Sequence, residues 1–275
     1  MIRIFRFTGG LGNQIFCAAV CSYFRHKYPK DKLCICYSKD AFDEHNGSFE
    51  LAQFFDVDLP TPNIWYMRLW NIIYRLKKHI DISNIYEMPH PTIQNEKAIF
   101  YYAFRLNKKY IPQSPDWLKF KKPILSLHNA EILKQIKTTD SIFIHVRRGD
   151  YLSTKYVERF KDICTIDYYH KAIKIVQEHF AQAKFFIFSD DIEYVKHCTQ
   201  YRLPSNYVFV NYNKGLDSYL DMYLMAHCKG GIIANSTFSY WGARLIQKKF
   251  IVYPKKWVNG SGSYPNLFED YWVGI

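Results

Sequence analysis

No two cysteines in this chain are spaced C-x-x-C, and the seven present (17, 21, 34, 36, 164, 198 and 228) are an odd number. Zinc-ribbon spacing is thus absent and a secreted disulfide framework is disfavoured, so the composition suits a reduced, cytosolic compartment. No apolar run approaches the roughly 18 residues needed to span a bilayer. The opening "MIRIFRF" carries Arg3 and Arg6 inside its apolar run and lacks a small-residue cleavage site, so it does not read as a signal peptide. Low-complexity tracts and internal repeats are absent as well. Basic tails are missing too: Lys and Arg outnumber Asp and Glu by 37 to 25, with 19 against 12 up to residue 136 and 18 against 13 beyond it. Such a diffuse positive field suits an anionic small substrate, an acidic membrane surface or an acidic partner. Nucleic acid fits poorly, because the basic residues are not interleaved with aromatics along one exposed strand and no recognised module occurs.

Several catalytic signatures are missing. No serine sits in a G-x-S-x-G elbow, and there is no G-K-[ST]. Gly9, Gly10 and Gly12 in "TGGLGNQ" fall short of G-x-G-x-x-G because Ile15 stands where the last glycine is required. What they leave is a tight turn that presents Asn13 and Gln14, suited to close approach to a sugar.

What is present is an alternation of short apolar runs and helical patterns. The runs "IRIFRF" (2–7), "KLCICY" (32–37), "SIFIHV" (141–146), "KFFIFS" (184–189), "YVFVNY" (207–212), "GGIIANS" (230–236) and "FIVYP" (250–254) predict strands. Between them, "DYYHKAIKIVQEHF" puts Tyr169, Ile173, Val176 and Phe180 on one helical face. A second helix is predicted from an N-cap at Asp217 to near Gly230. Continuous apolar strands separated by helices predict an α/β fold with parallel sheets covered on both faces. In such sheets the ligand lies outside the carboxyl ends of the strands. A boundary near 123–140 divides the chain into lobes 1–136 and 137–275. The least regular stretch is 56–125, which holds seven prolines (60, 62, 89, 91, 112, 115 and 123). Inside it, the helical segment 63–80 carries Trp65, Leu69, Ile72, Ile73, Leu76 and Ile80, with Arg68, Arg75, Lys77 and Lys78 nearby. Two readings stand open there: a membrane-surface helix, or a domain helix with a solvated basic face.

The strand ends hold the chemistry. "HVRRGDY" sets His145, Arg147, Arg148 and Asp150 at the ligand end of an apolar strand. An arginine fork can grip phosphate oxygens, with Asp150 locking one guanidinium; the bland alternative is a surface ion pair. In "FSDD", a carboxylate can accept N–H groups from guanine, bind a ribose hydroxyl or hold a metal, and Asp190 or Asp191 is otherwise an ordinary helix cap. In "GGIIANSTFSYWGARLI", Ser236, Thr237 and Ser239 place hydroxyls at a helix start, a natural anion site. Simple capping by Ser236 is the alternative there, and Asn235 has no evident packing role.

Taken together, "GGLGNQIF", "HVRRGDY", "FSDD" and "DMYLMAHCKGGIIANSTFSYWGARL" resemble the bacterial α-1,2-fucosyltransferases of glycosyltransferase family 11. The resemblance runs in order to about residue 257 and weakens over 56–125. Relatives often have a second tryptophan where Tyr240 stands. The resemblance implies two Rossmann-like lobes of the GT-B architecture and GDP-fucose as donor. It also implies inversion at the fucose anomeric carbon, no required metal or other cofactor, and a galactose-terminated acceptor in a surface glycan such as O-antigen. The N-terminal lobe would be the acceptor side and the C-terminal lobe the donor side. By the same resemblance, Arg147, assisted by Arg148, stabilises the departing diphosphate. His145 and Asp190 touch the guanosine, Asn235, Ser236, Thr237 and Ser239 line the donor site, and Asn13 and Gln14 line the sugar cleft. Asp150 is the carboxylate candidate for a general base, with an arginine-orienting role as the alternative. A cytoplasmic protein with peripheral attachment to the inner membrane face would fit.

Overall fold

A computed structural model describes residues 1–37, 49–60, 62–76, 79, 81–87, 90, 92–245, 249–260, 264 and 266–275. The chain divides into two compact units, 1–121 and 122–275. In the first unit the elements are β1 (Ile2–Arg6), α1 (Leu11–Lys27), β2 (Lys32–Cys36), α2 (Leu51–Phe54), β3 (Phe55–Val57), α3 (Ile64–Leu76), β4 (Tyr86–Glu87), β5 (Phe100–Tyr102) and β6 (Leu118–Phe120). Among the described residues they form a parallel sheet in the order β2-β1-β5-β4, and β3 pairs antiparallel with β6. Strand β1 enters α1 through Gly9, whose φ of +74° favours glycine; a Cβ there would also run into the Asn13 amide.

The second unit contains α4 (Leu127–Thr138), β7 (Ser141–Val146), α5 (Val157–Phe160), α6 (Ile166–His179), β8 (Lys184–Ser189), α7 (Ile192–His197), β9 (Tyr207–Val210), α8 (Tyr219–His227), β10 (Gly230–Ile232), α9 (Thr237–Arg244), β11 (Phe250–Tyr253) and β12 (Val273–Gly274). Its strands pair in parallel in the order β12-β11-β10-β7-β8-β9. All six residues of β7 are buried, which explains why it reads as a continuous apolar run and not as an alternation. From β7 the chain winds one way through β8 and β9, and from β10 it winds the other way through β11 and β12. The neighbours β7 and β10 therefore flank a topological switch point, where open α/β sheets hold their ligands.

Each strand expected from the sequence is present, within a residue or a few at its ends. The predicted face of α6 is also the buried one: Tyr169, Ile173 and Val176 enter the core and Phe180 packs against it. Three expectations differ. Helix α4, placed before a 136/137 boundary by the sequence, goes with the second unit, where the Asn129 amide donates to Asn213 Oδ1 at 2.7 Å. Asp217 does not cap α8. A 3₁₀ turn over Gly215–Ser218 runs straight into the helix, and Ser218 already has helical dihedrals, so no extended residue is left to offer a cap. In α3 it is Tyr66, Met67, Trp70 and Ile73 that meet the core, while Trp65, Leu69, Ile72 and Leu76 face outward. Lys77, Lys78 and Ile80 lie outside the described residues.

Candidate active site

At the carboxyl end of β7 the chain turns through Arg147 and Arg148 into a 3₁₀ turn at Gly149–Leu152. Arg147 is held from both sides. Its Nη2 donates to Asp150 Oδ1 at 2.6 Å, and its Nη1 pairs with Asp190 Oδ2 at 3.0 Å, just past the end of β8. The other Asp190 oxygen accepts the Arg148 backbone N–H at 2.9 Å, so this carboxylate ties the ends of two adjacent strands together. Gly149 makes room for it, since a side chain there would collide with Asp190 Oδ2. Burial works against the Arg147 charge, but Asp190 and Asp150 outweigh it and hold the guanidinium above its ordinary value. Burial likewise pushes the Asp190 carboxyl above the usual range, although Arg147 and the Arg148 amide pull it back. Arg148 turns elsewhere: Nε donates to Asp191 at 3.1 Å, and the guanidinium lies over the Tyr194 ring. Asp191 is also the α7 cap, accepting from the Tyr194 amide. The two acids of "FSDD" thus divide the roles between them.

His145 is buried within β7, and its Nδ1 has no hydrogen-bond partner within the described protein. Burial, with Arg147 nearby, pulls its pKa down to about 3, so the ring is neutral. An orphaned ring nitrogen at a strand end is what a ligand-binding histidine would leave in the protein alone.

Across the switch point, β10 leads into Asn235, Ser236 and α9. Two expected donor-site residues are buried and bonded within the protein. Asn235 is buried; its amide donates to the Trp257 carbonyl at 3.0 Å, its Oδ1 accepts from Cys164 Sγ, and its backbone carbonyl accepts from the Tyr151 hydroxyl at 2.8 Å. That last bond joins the 147–151 turn to the end of β10. Ser239 is fully buried and donates to the Ser236 carbonyl at 3.2 Å. The Ser236 side chain makes no capping bond, and Thr237 is half-buried at the start of α9. These two remain where an anion would meet the helix N-terminus.

In the first unit the glycine turn behaves in a similarly divided way. Gln14, expected at the sugar cleft, is bonded within its own unit. Its side chain is buried, donating to the Gly9 carbonyl at 3.1 Å and accepting the Glu50 and Leu51 amides at 3.0 and 3.1 Å. Asn13, one residue earlier, is only half-buried.

One acid escaped the reading of the sequence. Asp221 lies in the first turn of α8, on the carboxyl side of the second sheet. Burial pushes its pKa up to about 7, against a hydrogen bond from the Asn213 amide (2.6 Å) that lowers it. Asn213 is in turn held by Asn129. The available signal was an aspartate inside the apolar "YLDMYLMA", on a helix with little polar character to spare.

The Glycosyl transferase family 11 profile matches residues 77–275. An Escherichia coli O-antigen biosynthesis glycosyltransferase, WbnK, is 28% identical over 319 residues, covering 98% of each chain. An Escherichia coli alpha-1,2-colitosyltransferase is 35% identical over 155 residues, covering 54% of this chain and 51% of its own. Among solved structures, a mutant of Arabidopsis thaliana FUT1 in complex with GDP superposes with a TM-score of 0.50 at 11% identity, covering 93% of this chain and 71% of that one. That likeness concerns the fold: two Rossmann-like α/β lobes of the GT-B type.

Proposed function

Since the chain belongs to glycosyltransferase family 11, we propose that it is an inverting transferase moving L-fucose from GDP-β-L-fucose to the 2-hydroxyl of a terminal galactose in an O-antigen or related surface glycan. The observation that carries the mechanism is Arg147, fixed by Asp150 and Asp190 at the switch point of the second sheet. As the fucosyl bond breaks, negative charge grows on the β-phosphate. A preorganised guanidinium there stabilises the transition state more than the bound donor, and no metal is required of it. Ser236, Thr237 and the α9 N-terminus take phosphate oxygens, and neutral His145 offers its unpaired nitrogen to the guanosine end. Asp190, tied by one bond at each oxygen to Arg147 and the Arg148 amide, keeps a second lone pair on each for the guanine edge. Asp150 orients Arg147, and the first unit, with Asn13 beside its glycine turn, serves the acceptor. A cytoplasmic setting suits a nucleotide-sugar donor.

A second donor has an observation in its favour: the match to a colitosyltransferase spans half the chain. Colitose is fucose without its 3-hydroxyl. The test is incubation with GDP-fucose, GDP-colitose or UDP-galactose and either a β-galactoside or its 2-deoxy analogue, with product linkage read by NMR. Transfer to the 2-hydroxyl, abolished in the 2-deoxy acceptor, is the expected result. Transfer from UDP-sugars, or to a different hydroxyl, would overturn the reading.

A further inference from the structure

Helix α3 presents three sectors to its surroundings. At about 100° per residue, Tyr66, Met67, Trp70 and Ile73 share one side, and these pack on Ile4, Cys34, Tyr86 and Phe100. Trp65, Leu69, Ile72 and Leu76 fall within about 60° of one another on a second side. All four are exposed, Trp65 by 65% and Ile72 by 56%. Arg68 and Arg75 occupy the third sector, next to the exposed stripe, and the Arg68 guanidinium lies 4.5 Å from the Trp65 ring centre.

Single exposed apolar residues are ordinary, but four large ones in register along one helix mark an interaction surface. Charge says what kind. Between Asp58 and Asp81 the sequence holds Arg68, Arg75, Lys77 and Lys78 and not one acid. A second copy laid on this face would set Arg68 and Arg75 against two more arginines. An anionic lipid surface complements both features at once, taking the apolar stripe at the level of the acyl boundary and the cations at its headgroups. Among the described residues no helix is long and apolar enough to cross a membrane, so the helix would lie in the plane of the interface.

We propose that α3 is an interfacial anchor which holds the protein on anionic bilayers through Trp65, Leu69, Ile72 and Leu76, with Arg68 and Arg75 on lipid phosphates. The test is co-sedimentation of the full chain with phosphatidylcholine vesicles, with and without phosphatidylglycerol. Binding is expected only with phosphatidylglycerol and should weaken in high salt. The double substitution Arg68→Gln/Arg75→Gln should weaken it about thirtyfold, at roughly 1 kcal/mol for each cation near the surface. Leu69→Ser/Ile72→Ser should abolish it while transfer to a soluble acceptor stays unchanged, which shows that the fold survives. Brominated lipids should quench a tryptophan signal that disappears in Trp65→Phe. Equal binding by wild type and Leu69→Ser/Ile72→Ser would overturn the proposal. So would a wild-type dimer in analytical ultracentrifugation that Leu69→Ser/Ile72→Ser dissolves while vesicles capture neither protein.

Discussion

Arg147 meets two carboxylates at once, and they cannot be exchanged for each other. Asp150 comes from the same turn, whereas Asp190 arrives from the neighbouring strand and also fixes the Arg148 amide. Arg147→Ala should lower kcat by about 10² to 10³ while the donor still binds. Arg147→Lys should recover little, because a point charge cannot reproduce a fork gripped at both nitrogens. Asp190→Asn should follow Arg147→Ala in kcat rather than raise the donor KM alone, and steady-state kinetics on the two variants separates these outcomes. Asp221 makes a different prediction. Its native pKa is raised, so between about pH 4, where an unfolded Asp ionises, and about pH 7, where the folded group does, the unfolded chain has released a proton that the native chain keeps. Native stability should therefore fall as pH rises through that window and level off above it. Asp221→Asn should flatten this part of the Tm-versus-pH curve. The residue types at the site were legible because strand ends in a parallel sheet face the ligand. Partnership was not, because whether Asp190 or Asp191 reaches Arg147 depends on where β8 lies beside β7, forty residues away along the chain.

Elements were read best where burial acts on both faces. β7 and β8 are apolar almost throughout because helices cover the sheet on either side, and no periodicity was needed to find them. Helix α6 was legible by its spacing, but not the use it makes of its tyrosines. Tyr169 donates to the His145 carbonyl at 3.0 Å and Tyr168 to the Ile233 carbonyl at 2.6 Å, so one helix pins both strands beside the switch point. Tyr169→Phe would remove that buried bond and should cost about 0.5 to 1.5 kcal/mol in urea unfolding. Helix α3 was legible as a helix and misleading as to its face. An apolar stripe ordinarily points inward, and here a second, aromatic-rich side met the core instead. The burial of Asn235, Ser239 and Gln14 was not legible for a related reason: a buried polar residue with backbone partners carries the same letter as one that awaits a ligand.

At the scale of the whole molecule, the two units each enclose their own core. Ile4, Cys34, Trp70 and Phe100 belong to one, and Ile142, Val176, Phe185 and Ile232 to the other. Units with separate cores unfold as separate cooperative blocks, so calorimetry should resolve two transitions where a merged core would give one. The groups proposed to hold the donor all come from the second unit. GDP should therefore raise one transition by mass action and leave its neighbour in place, and a scan in which both move together would show that the blocks are coupled. The division at Lys121 and Lys122 has a practical corollary. The transition that GDP leaves in place serves as an internal thermometer, so that donor affinity can be read from the gap between two peaks of a single sample.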